Sequence, residues 1–301
     1  MKSLKKGWCF ANLFFVAPTS GRRTHKSCLP LTMATKTISI LGCGWLGLPL
    51  GKHLANNGYL VKGTTTSETK IPLLQEAGIE SHLLRFTPQP DGEFAPLLAT
   101  DVLIICIPPR AGQFGDAFHP QQIEAIAKAL LPSTAAIIYI SSTSVYPENN
   151  QEITENDGVI HNLPLITAEN SLKNVDIPLT ILRCGGLMGY DRIPGKYFIG
   201  KTVTTGEIPV NFVHRDDVIG IIEQVINQSC WGETFNVVAP EHPVRRDIYL
   251  KNAEQFGWQA PTFVDGAEPI PFKIINADKL TKKLGYRFQY PNPLNFLYSA
   301  I

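Results

Sequence analysis

The chain has 301 residues, of which 44% are hydrophobic, 18% charged and 9% aromatic, so it can bury a substantial core and is neither disordered nor collagen-like. Six of its 27 basic residues precede Met33, where no acidic residue occurs, and the remaining 21 basic and 26 acidic residues give the rest a net charge of −5. That part has no run of five or six lysines or arginines, which argues against a partner made of nucleic acid.

The first 32 residues differ in composition from the rest. A basic start, a short apolar stretch and small residues are typical of a secretory signal, whereas serine, threonine and arginine without acidic residues also fit an organellar transit peptide. A natural start at Met33 is the other interpretation, because a predicted strand follows it directly. We therefore expect residues 1–33 to be an unstructured leader or a mis-assigned start, with a targeting signal as the alternative, and the folded body to begin near Lys36.

Six scattered cysteines form no CxxC pair and no cysteine–histidine spacing typical of zinc, so no metal is expected. This cysteine usage suits a reduced, cytoplasmic compartment. The apolar run TDVLIICIPP has the length of a strand and falls short of the roughly 18 residues that a membrane span needs. We expect a cytoplasmic protein without a membrane partner.

Short aliphatic or β-branched runs bounded by turn residues predict buried strands. They are TISIL (37–41), YLVKG (59–63), SHLLR (81–85), VLIICI (102–107), AIIYI (136–140) and PLTIL (178–182). Segments with helical spacing lie between them, at 45–57, 68–77, 123–131 and 165–175. This alternation predicts the α/β class, a Rossmann-type doubly wound parallel sheet with right-handed crossovers.

The alternation changes after Arg183. The later elements are a glycine-rich loop, a helix near 215–228, the strand TFNVV (234–238), and helices near 243–256 and 277–284. We predict that residues 34–184 form the sheet domain. Residues 185–301 would form a smaller α/β lobe over the carboxyl edge of the sheet, where ligands bind in such folds.

The first predicted strand leads directly into Gly42-Cys43-Gly44-Trp45-Leu46-Gly47 and then into a helix, which is the context that a GxGxxG dinucleotide site requires. Gly42 would permit the tight turn, Gly44 would let the backbone approach a pyrophosphate, and Gly47 would let the helix pack on the strand. The pyrophosphate would lie at the helix N-terminus, which favours an anion. The alternative is that the glycines serve only to form a turn, but all three glycine positions match the GxGxxG pattern.

An acidic residue that binds the adenosine ribose is expected about 20 residues further on. Thr65 and Thr66 stand there instead, so no carboxylate repels a 2′-phosphate, and hydroxyls and backbone amides, with Lys62 or Lys70, can accept it. NADP is therefore favoured mildly as the cofactor, with NAD as the alternative. The turn Ile107-Pro108-Pro109 ends the fourth strand and would face the ribose and pyrophosphate, unless the prolines merely stop the strand.

Three later segments follow one another in a characteristic order. They are ISSTSVY (140–146), ILR (181–183) with its following glycines, and FVHRDDV (212–218). These resemble the SSxxVY, LR…G and FVHxDDV elements of the extended short-chain dehydrogenase/reductases, the NAD-dependent epimerase/dehydratase family. With PGKYFIGKT (194–202) and FNVVAPEHP (235–243), the resemblance over residues 36–293 is to an atypical branch, the bacterial YeeZ-type proteins. It implies an NAD(P)-binding oxidoreductase or epimerase that acts on a small molecule, for which the threonines at the ribose position favour NADP.

Catalysis in that family implies a tyrosine that exchanges a proton, a lysine four residues later that lowers its pKa, and a serine that hydrogen-bonds the developing carbonyl. The serine corresponds to Ser142. Residues 147–189 contain no tyrosine. If Glu169 occupies the acidic position of the helix, His161 falls in the tyrosine position and Leu165 in the lysine position.

His161 and Tyr197 are accordingly the candidates for a replacement acid, with ordinary surface residues as the alternative. Arg192, Lys196 and Lys201 would lie near the roof of the cleft and hold an anionic substrate, or else form a solvated basic loop.

The acids of FVHRDDV, Asp216 and Asp217, start a helix, where capping and the helix dipole explain them better than a metal site does.

Two functions stay open for a monomer or homodimer with a small-molecule substrate. One is the oxidoreductase or epimerase with an altered proton donor. The other is a catalytically impaired dinucleotide-binding sensor or interaction protein, because the tyrosine–lysine pair is absent.

Overall fold

The structure is a computed structural model that describes residues 35–130, 132–266 and 268–299. The expected leader lies outside the described residues. The central sheet consists of β1 Thr37–Leu41, β2 Leu60–Thr65, β3 Ile79–Leu83, β4 Val102–Ile105, β5 Ile137–Ser142, β6 Leu179–Cys184 and β7 Thr234–Val237. Its strands are parallel and lie in the order β7-β6-β5-β4-β1-β2-β3. The winding therefore reverses between β1 and β4, which confirms the predicted doubly wound Rossmann-type sheet.

Helices cover both faces of the sheet. The longer ones are α1 Gly47–Asn56, α2 Ile71–Glu76, α3 Phe118–Ala129, α4 Pro164–Lys173, α5 Arg215–Gln228, α6 Arg245–Phe256 and α7 Asp278–Leu284. Apolar residues of α1, α2, α5 and α7 pack in one core cluster with Ile104, whereas α3 and α4 pack in a second with Leu103 and Ile105. Because successive strand residues point to opposite faces, the continuous apolar strands supply both layers.

Every predicted strand is present with its ends within two residues of the predicted ones, and two strands differ in ways that matter for the site or the sheet. The third is shifted by two residues to Ile79–Leu83. The Leu84 N–H donates to the Thr65 carbonyl and its side chain is buried in the core, and the chain then enters the short pair of Arg85–Phe86 with Pro90–Asp91. The strand TFNVV, expected in the smaller lobe, is β7 of the central sheet. Phe235 and Val237 are fully buried there beneath α5 and α7, so this strand completes the core rather than a separate lobe.

The chain outside the central sheet forms short two-stranded pairs. They are Gly186–Met188 with Phe212–His214, Gln151–Ile153 with Lys273–Ile275, Thr202–Val203 with Thr262–Phe263, and Arg85–Phe86 with Pro90–Asp91. The boundary expected after residue 184 stays a prediction. Throughout the described ranges, no helix combines the length and the apolar character that crossing a membrane requires.

Candidate functional site

A cleft of about 930 Å³ opens at the carboxyl ends of β1, β2, β4 and β5, across the point where the winding reverses. Ligands of doubly wound sheets bind at this point. The cleft is lined by every residue that the sequence predicts for the cofactor: Gly42, Cys43, Gly44, Trp45, Leu46, Gly47, Thr65, Thr66, Ile107, Pro108 and Pro109. The structure thus brings together segments that lie more than 60 residues apart in the chain.

The three glycines of the loop have different surroundings. Gly42 has a φ of 96°, and a Cβ there would lie 3.1 Å from the Cys106 carbonyl oxygen. A Cβ on Gly47 would overlap the carbonyl oxygen of Gly42, so only glycine lets α1 begin this close to the turn. A Cβ on Gly44 would meet nothing within 4 Å. Gly44 therefore relieves no contact within the protein and instead leaves open the space that a phosphate group needs.

Thr64 in β2 holds the loop in place. The Gly42 N–H donates to Thr64 Oγ1 at 2.8 Å, and the Cys43 N–H donates to the Thr64 carbonyl at 2.8 Å. Burial raises the pKa of the Cys43 thiol to about 12, and burial also raises the pKa of Cys184 to about 12 and that of Cys106. None of these thiols beneath the cleft is a thiolate at neutral pH, so none supplies a nucleophile.

Two basic side chains lie where β2 ends. Lys70 and Arg85 both line the cleft, and Arg85 Nε and Nη2 each donate to the Thr66 carbonyl at 3.1 Å. Lys62, the other lysine considered for a 2′-phosphate, is turned away, because its Nζ donates to the Pro96 carbonyl at 2.8 Å. The basic groups near the threonines are thus Lys70 and Arg85.

Charge is distributed unevenly around the cleft. Its cationic side chains are Lys70, Arg85, Arg110 and Arg192, and within the described part of the chain no carboxylate lines it. A concave surface with cations and no acid attracts anions. The cleft is therefore suited to a ligand that carries several phosphates.

Ser142 is the last residue of β5 and lines the cleft. Its Oγ accepts a hydrogen bond from the Ser144 N–H at 3.1 Å, which caps the short 3₁₀ turn Thr143–Val145 and fixes the side chain. A hydroxyl that accepts in this way keeps its own proton for donation. Ser142 can therefore donate to a ligand oxygen.

A buried ion pair supports the end of β5. Arg183 donates to Glu169 through Nη2 at 2.7 Å and Nε at 3.0 Å, and Ser141 donates to the same carboxylate at 2.8 Å. Arg183 also donates to the hydroxyl of Tyr146, which donates to Asn236 in β7. Burial opposes ionisation of Glu169, but the hydrogen bonds and charge of Arg183 outweigh it and lower its pKa. The network joins α4, β5, β6 and β7.

Comparison with known proteins identifies the relatives of this chain. No model of a protein family matches it. It is 34% identical over 279 residues to Protein YeeZ of Escherichia coli strain K12, with 86% of this chain and 98% of that protein covered. The chain belongs to the YeeZ family. The resemblance drawn from its sequence motifs is thereby confirmed.

Solved structures show the fold that this YeeZ-family protein shares. The enzyme WbmG of Bordetella bronchiseptica, solved in complex with NAD, has a TM-score of 0.68 and 16% identity, with 88% of this chain and 93% of that chain covered. UDP-glucuronic acid 4-epimerase from Bacillus cereus, solved with UDP-glucuronic acid and NAD, has a TM-score of 0.67 and 20% identity, with 86% and 96% covered. The chain therefore shares its fold with these two proteins.

Neither candidate for the replacement acid lines the cleft of this YeeZ-family protein. His161 is exposed in the turn before α4, and Tyr197 is 63% exposed in the short 3₁₀ helix Pro194–Phe198. Leu165, four residues after His161, does line the cleft. Leu165 thus lies in the wall of the cleft, whereas His161 precedes the helix and is exposed. The geometry supports neither side chain as the acid.

The three basic residues expected at the roof of the cleft do not lie together in the YeeZ-family structure. Arg192 lines the cleft and is half-buried, whereas Lys196 and Lys201 are exposed and lie outside its walls. A solvated basic loop is thus the better interpretation for both lysines. Of the three, only Arg192 belongs to the wall of the cleft.

The start of α5 also corrects the sequence analysis. His214 is the N-cap residue, and its Nδ1 accepts from the Asp216 N–H at 3.2 Å, so a histidine and not an acid caps the helix. Asp217 is buried and accepts hydrogen bonds from the Tyr286 hydroxyl and from the Gln289 N–H. Both acids therefore have structural contacts and lie outside the cleft lining.

Sequence reasoning missed Thr64, Arg85 and Arg110 as residues of this site. Arg85 is the last residue of the strand predicted at 81–85, but the prediction for a 2′-phosphate considered only Lys62 and Lys70 near the second strand. The signal that could have found it is the position of a cation directly after the strand that neighbours β2, because carboxyl ends of parallel strands meet at one edge.

Proposed function

We propose that the cleft binds NADP(H) and that the protein is an oxidoreductase or epimerase that acts slowly on a small molecule. One observation carries this proposal. The GxGxxG loop lies where the strand order of the sheet reverses, and the described residues that line the same cleft include four cations and no carboxylate. When bound, the nicotinamide dinucleotide supplies hydride transfer. The chain supplies binding, orientation and charge.

The lining residues divide the binding between them. The backbone of residues 42–47 and the N-terminus of α1 hold the diphosphate, with the space above Gly44 left for its oxygens. Lys70 and Arg85 hold the 2′-phosphate at the end of β2. Ser142 donates a hydrogen bond to the carbonyl oxygen of the substrate and stabilises the charge that develops there.

Cofactor preference tests the assignment of Arg85. Arg85→Gln is expected to weaken NADPH binding about tenfold, because a charged hydrogen bond to the 2′-phosphate is lost, and to leave NADH binding unchanged. Isothermal titration calorimetry with both cofactors measures this difference. Lys62→Gln is the matched control, since Lys62 faces away from the cleft. Tighter binding of NADH than of NADPH by the unaltered protein would refute the preference.

Turnover tests the role of Ser142. General acid–base catalysis typically contributes about 10² to 10⁴-fold, so without a tyrosine–lysine pair NADPH oxidation should be slow across a panel of carbonyl compounds. Ser142→Ala should slow it by a further factor of about 10², because one donor to the developing oxyanion is removed. His161→Ala and Tyr197→Phe should have no effect. Rapid turnover that Ser142→Ala leaves unchanged would show that the reacting groups lie elsewhere.

A second candidate function is a dinucleotide-binding sensor or interaction protein without catalysis. It is favoured by the composition of the walls, since no tyrosine, histidine or carboxylate lines the cleft within residues 35–130, 132–266 and 268–299. NADPH binding with no turnover of any carbonyl compound in the panel would support this second function over the first.

A further inference from the structure

Trp45 is a large aromatic residue at the centre of the phosphate loop, and its side chain contacts a distant part of the chain. Its Nε1–H donates to Asp191 Oδ1 at 2.6 Å. The guanidinium carbon of Arg192 lies over the indole ring, 4.1 Å from its centroid. Trp45 therefore joins the loop after β1 to the turn at residues 189–192.

The turn that carries Arg192 is fixed by backbone hydrogen bonds. The Arg192 N–H donates to the Gly189 carbonyl at 3.0 Å, and the Gly189 N–H donates to the Arg192 carbonyl at 3.2 Å. Tyr190 donates its N–H to the Leu297 carbonyl at 2.7 Å and accepts from the Ser299 N–H at 3.0 Å. The turn thus presents Arg192 from a defined position.

The guanidinium of Arg192 has no ion-pair partner among the described residues, although the Asp191 carboxylate acts on it electrostatically. Its guanidinium is half-buried and lines the cleft, yet within the described ranges no side chain or carbonyl accepts a hydrogen bond from it or pairs with it. The guanidinium of Arg215 lies 5.0 Å from the same indole ring. Burial lowers the pKa of Arg192, and the charge of Arg215 adds to this although Asp191 opposes it. An anion in the cleft would compensate the charge of Arg192.

We propose that Trp45 positions Arg192 to bind the diphosphate of the dinucleotide. This inference rests on the proposed function, which places the diphosphate on the loop to which Trp45 belongs. A guanidinium binds phosphate oxygens through two parallel N–H groups, and stacking on a ring leaves its edge free to do so. The diphosphate is then held by the phosphate loop on one side and by Arg192 on the other.

The test compares two ligands on the full chain. NADPH contains the diphosphate, whereas adenosine 2′-monophosphate carries the adenosine and the 2′-phosphate without it. In Arg192→Gln we expect NADPH to bind about ten- to hundredfold more weakly, and adenosine 2′-monophosphate to bind as in the unaltered protein. Lys196→Gln, an exposed cation four residues further on, should leave both affinities unchanged.

Substitutions of Trp45 separate positioning from direct contact. Trp45→Leu removes the ring and should also weaken NADPH, whereas Trp45→Phe keeps a stacking surface and should retain most of the affinity. The variant with both Trp45→Leu and Arg192→Gln should bind NADPH no more weakly than Arg192→Gln, because the two side chains act through one contact.

The outcomes distinguish this inference from the proposed function. Unchanged NADPH affinity in Arg192→Gln would overturn the proposed role of Arg192 and would leave NADPH binding standing. This is the result expected if the arginine binds an anionic substrate instead. Equal losses for NADPH and adenosine 2′-monophosphate would also overturn it, since the effect would not arise at the diphosphate. Failure of the unaltered protein to bind either ligand would overturn the proposed function itself.

Discussion

Gly44→Asp is expected to fold like the unaltered protein and to lose dinucleotide binding. The new Cβ meets nothing within 4 Å, so the fold can accommodate it. Its carboxylate would lie against the diphosphate, where two like charges about 4 Å apart cost about 4 kcal/mol at an effective dielectric constant near 20. That energy corresponds to roughly a thousandfold loss of affinity, which calorimetry with NADPH would measure.

The control for this variant is Gly44→Ala, which adds a Cβ without charge and should lower the affinity far less. Thermal unfolding of both variants without ligand should match that of the unaltered protein. Unchanged NADPH affinity in Gly44→Asp would place the dinucleotide away from the 42–47 loop.

Glu169→Gln is expected to lower the free energy of unfolding by about 3–5 kcal/mol. The reason is that Arg183 would keep its charge in a buried position without the carboxylate that now accepts two of its hydrogen bonds. Urea denaturation at pH 7 measures the change. Glu124→Gln is the matched control, because Glu124 forms an exposed ion pair with Lys128 on α3, worth at most about 1 kcal/mol.

The same pair gives stability a defined dependence on pH. Folding lowers the pKa of Glu169, so its contribution is fully present above the ordinary carboxyl value of 4.5 and is lost as the pH falls through the lower folded value. The gap in unfolding free energy between the unaltered protein and Glu169→Gln should therefore shrink below about pH 4.5. A difference in unfolding free energy that stays constant as the pH is lowered below 4.5, or one under about 1 kcal/mol at pH 7, would contradict this role of Glu169.

The sheet and the phosphate loop could be predicted because their signals are local. The apolar run 37–41 and the glycines that follow it determine a strand, a turn and a helix start within eleven residues. By contrast, Arg85 lines the cleft just after the buried Leu84, where the chain leaves the central sheet for a short two-stranded pair. A strand end that is determined by tertiary packing leaves no periodic pattern in the sequence.

The position of His161 shows another limit of sequence reasoning. Counting residues back from Glu169 places His161 four residues before Leu165, but it does not reveal where the helix starts. Pro164 occupies the first turn of α4, where proline is favoured, so His161 lies before the helix in an exposed turn. A residue chosen by its position along the chain can thus lie outside the wall of the cleft.

The edge of the central sheet has a consequence for how this protein can be divided. Residues 234–237 pair with residues 181–184, so the strand that borders β6 arrives from some fifty residues further along the chain. A fragment that stopped after β6 would present its unpaired N–H and C=O groups to other chains, which invites aggregation through edge-to-edge pairing. Residues 35–184 are therefore no detachable module. Any swap of carboxyl-terminal halves between relatives would also exchange a strand of the shared sheet.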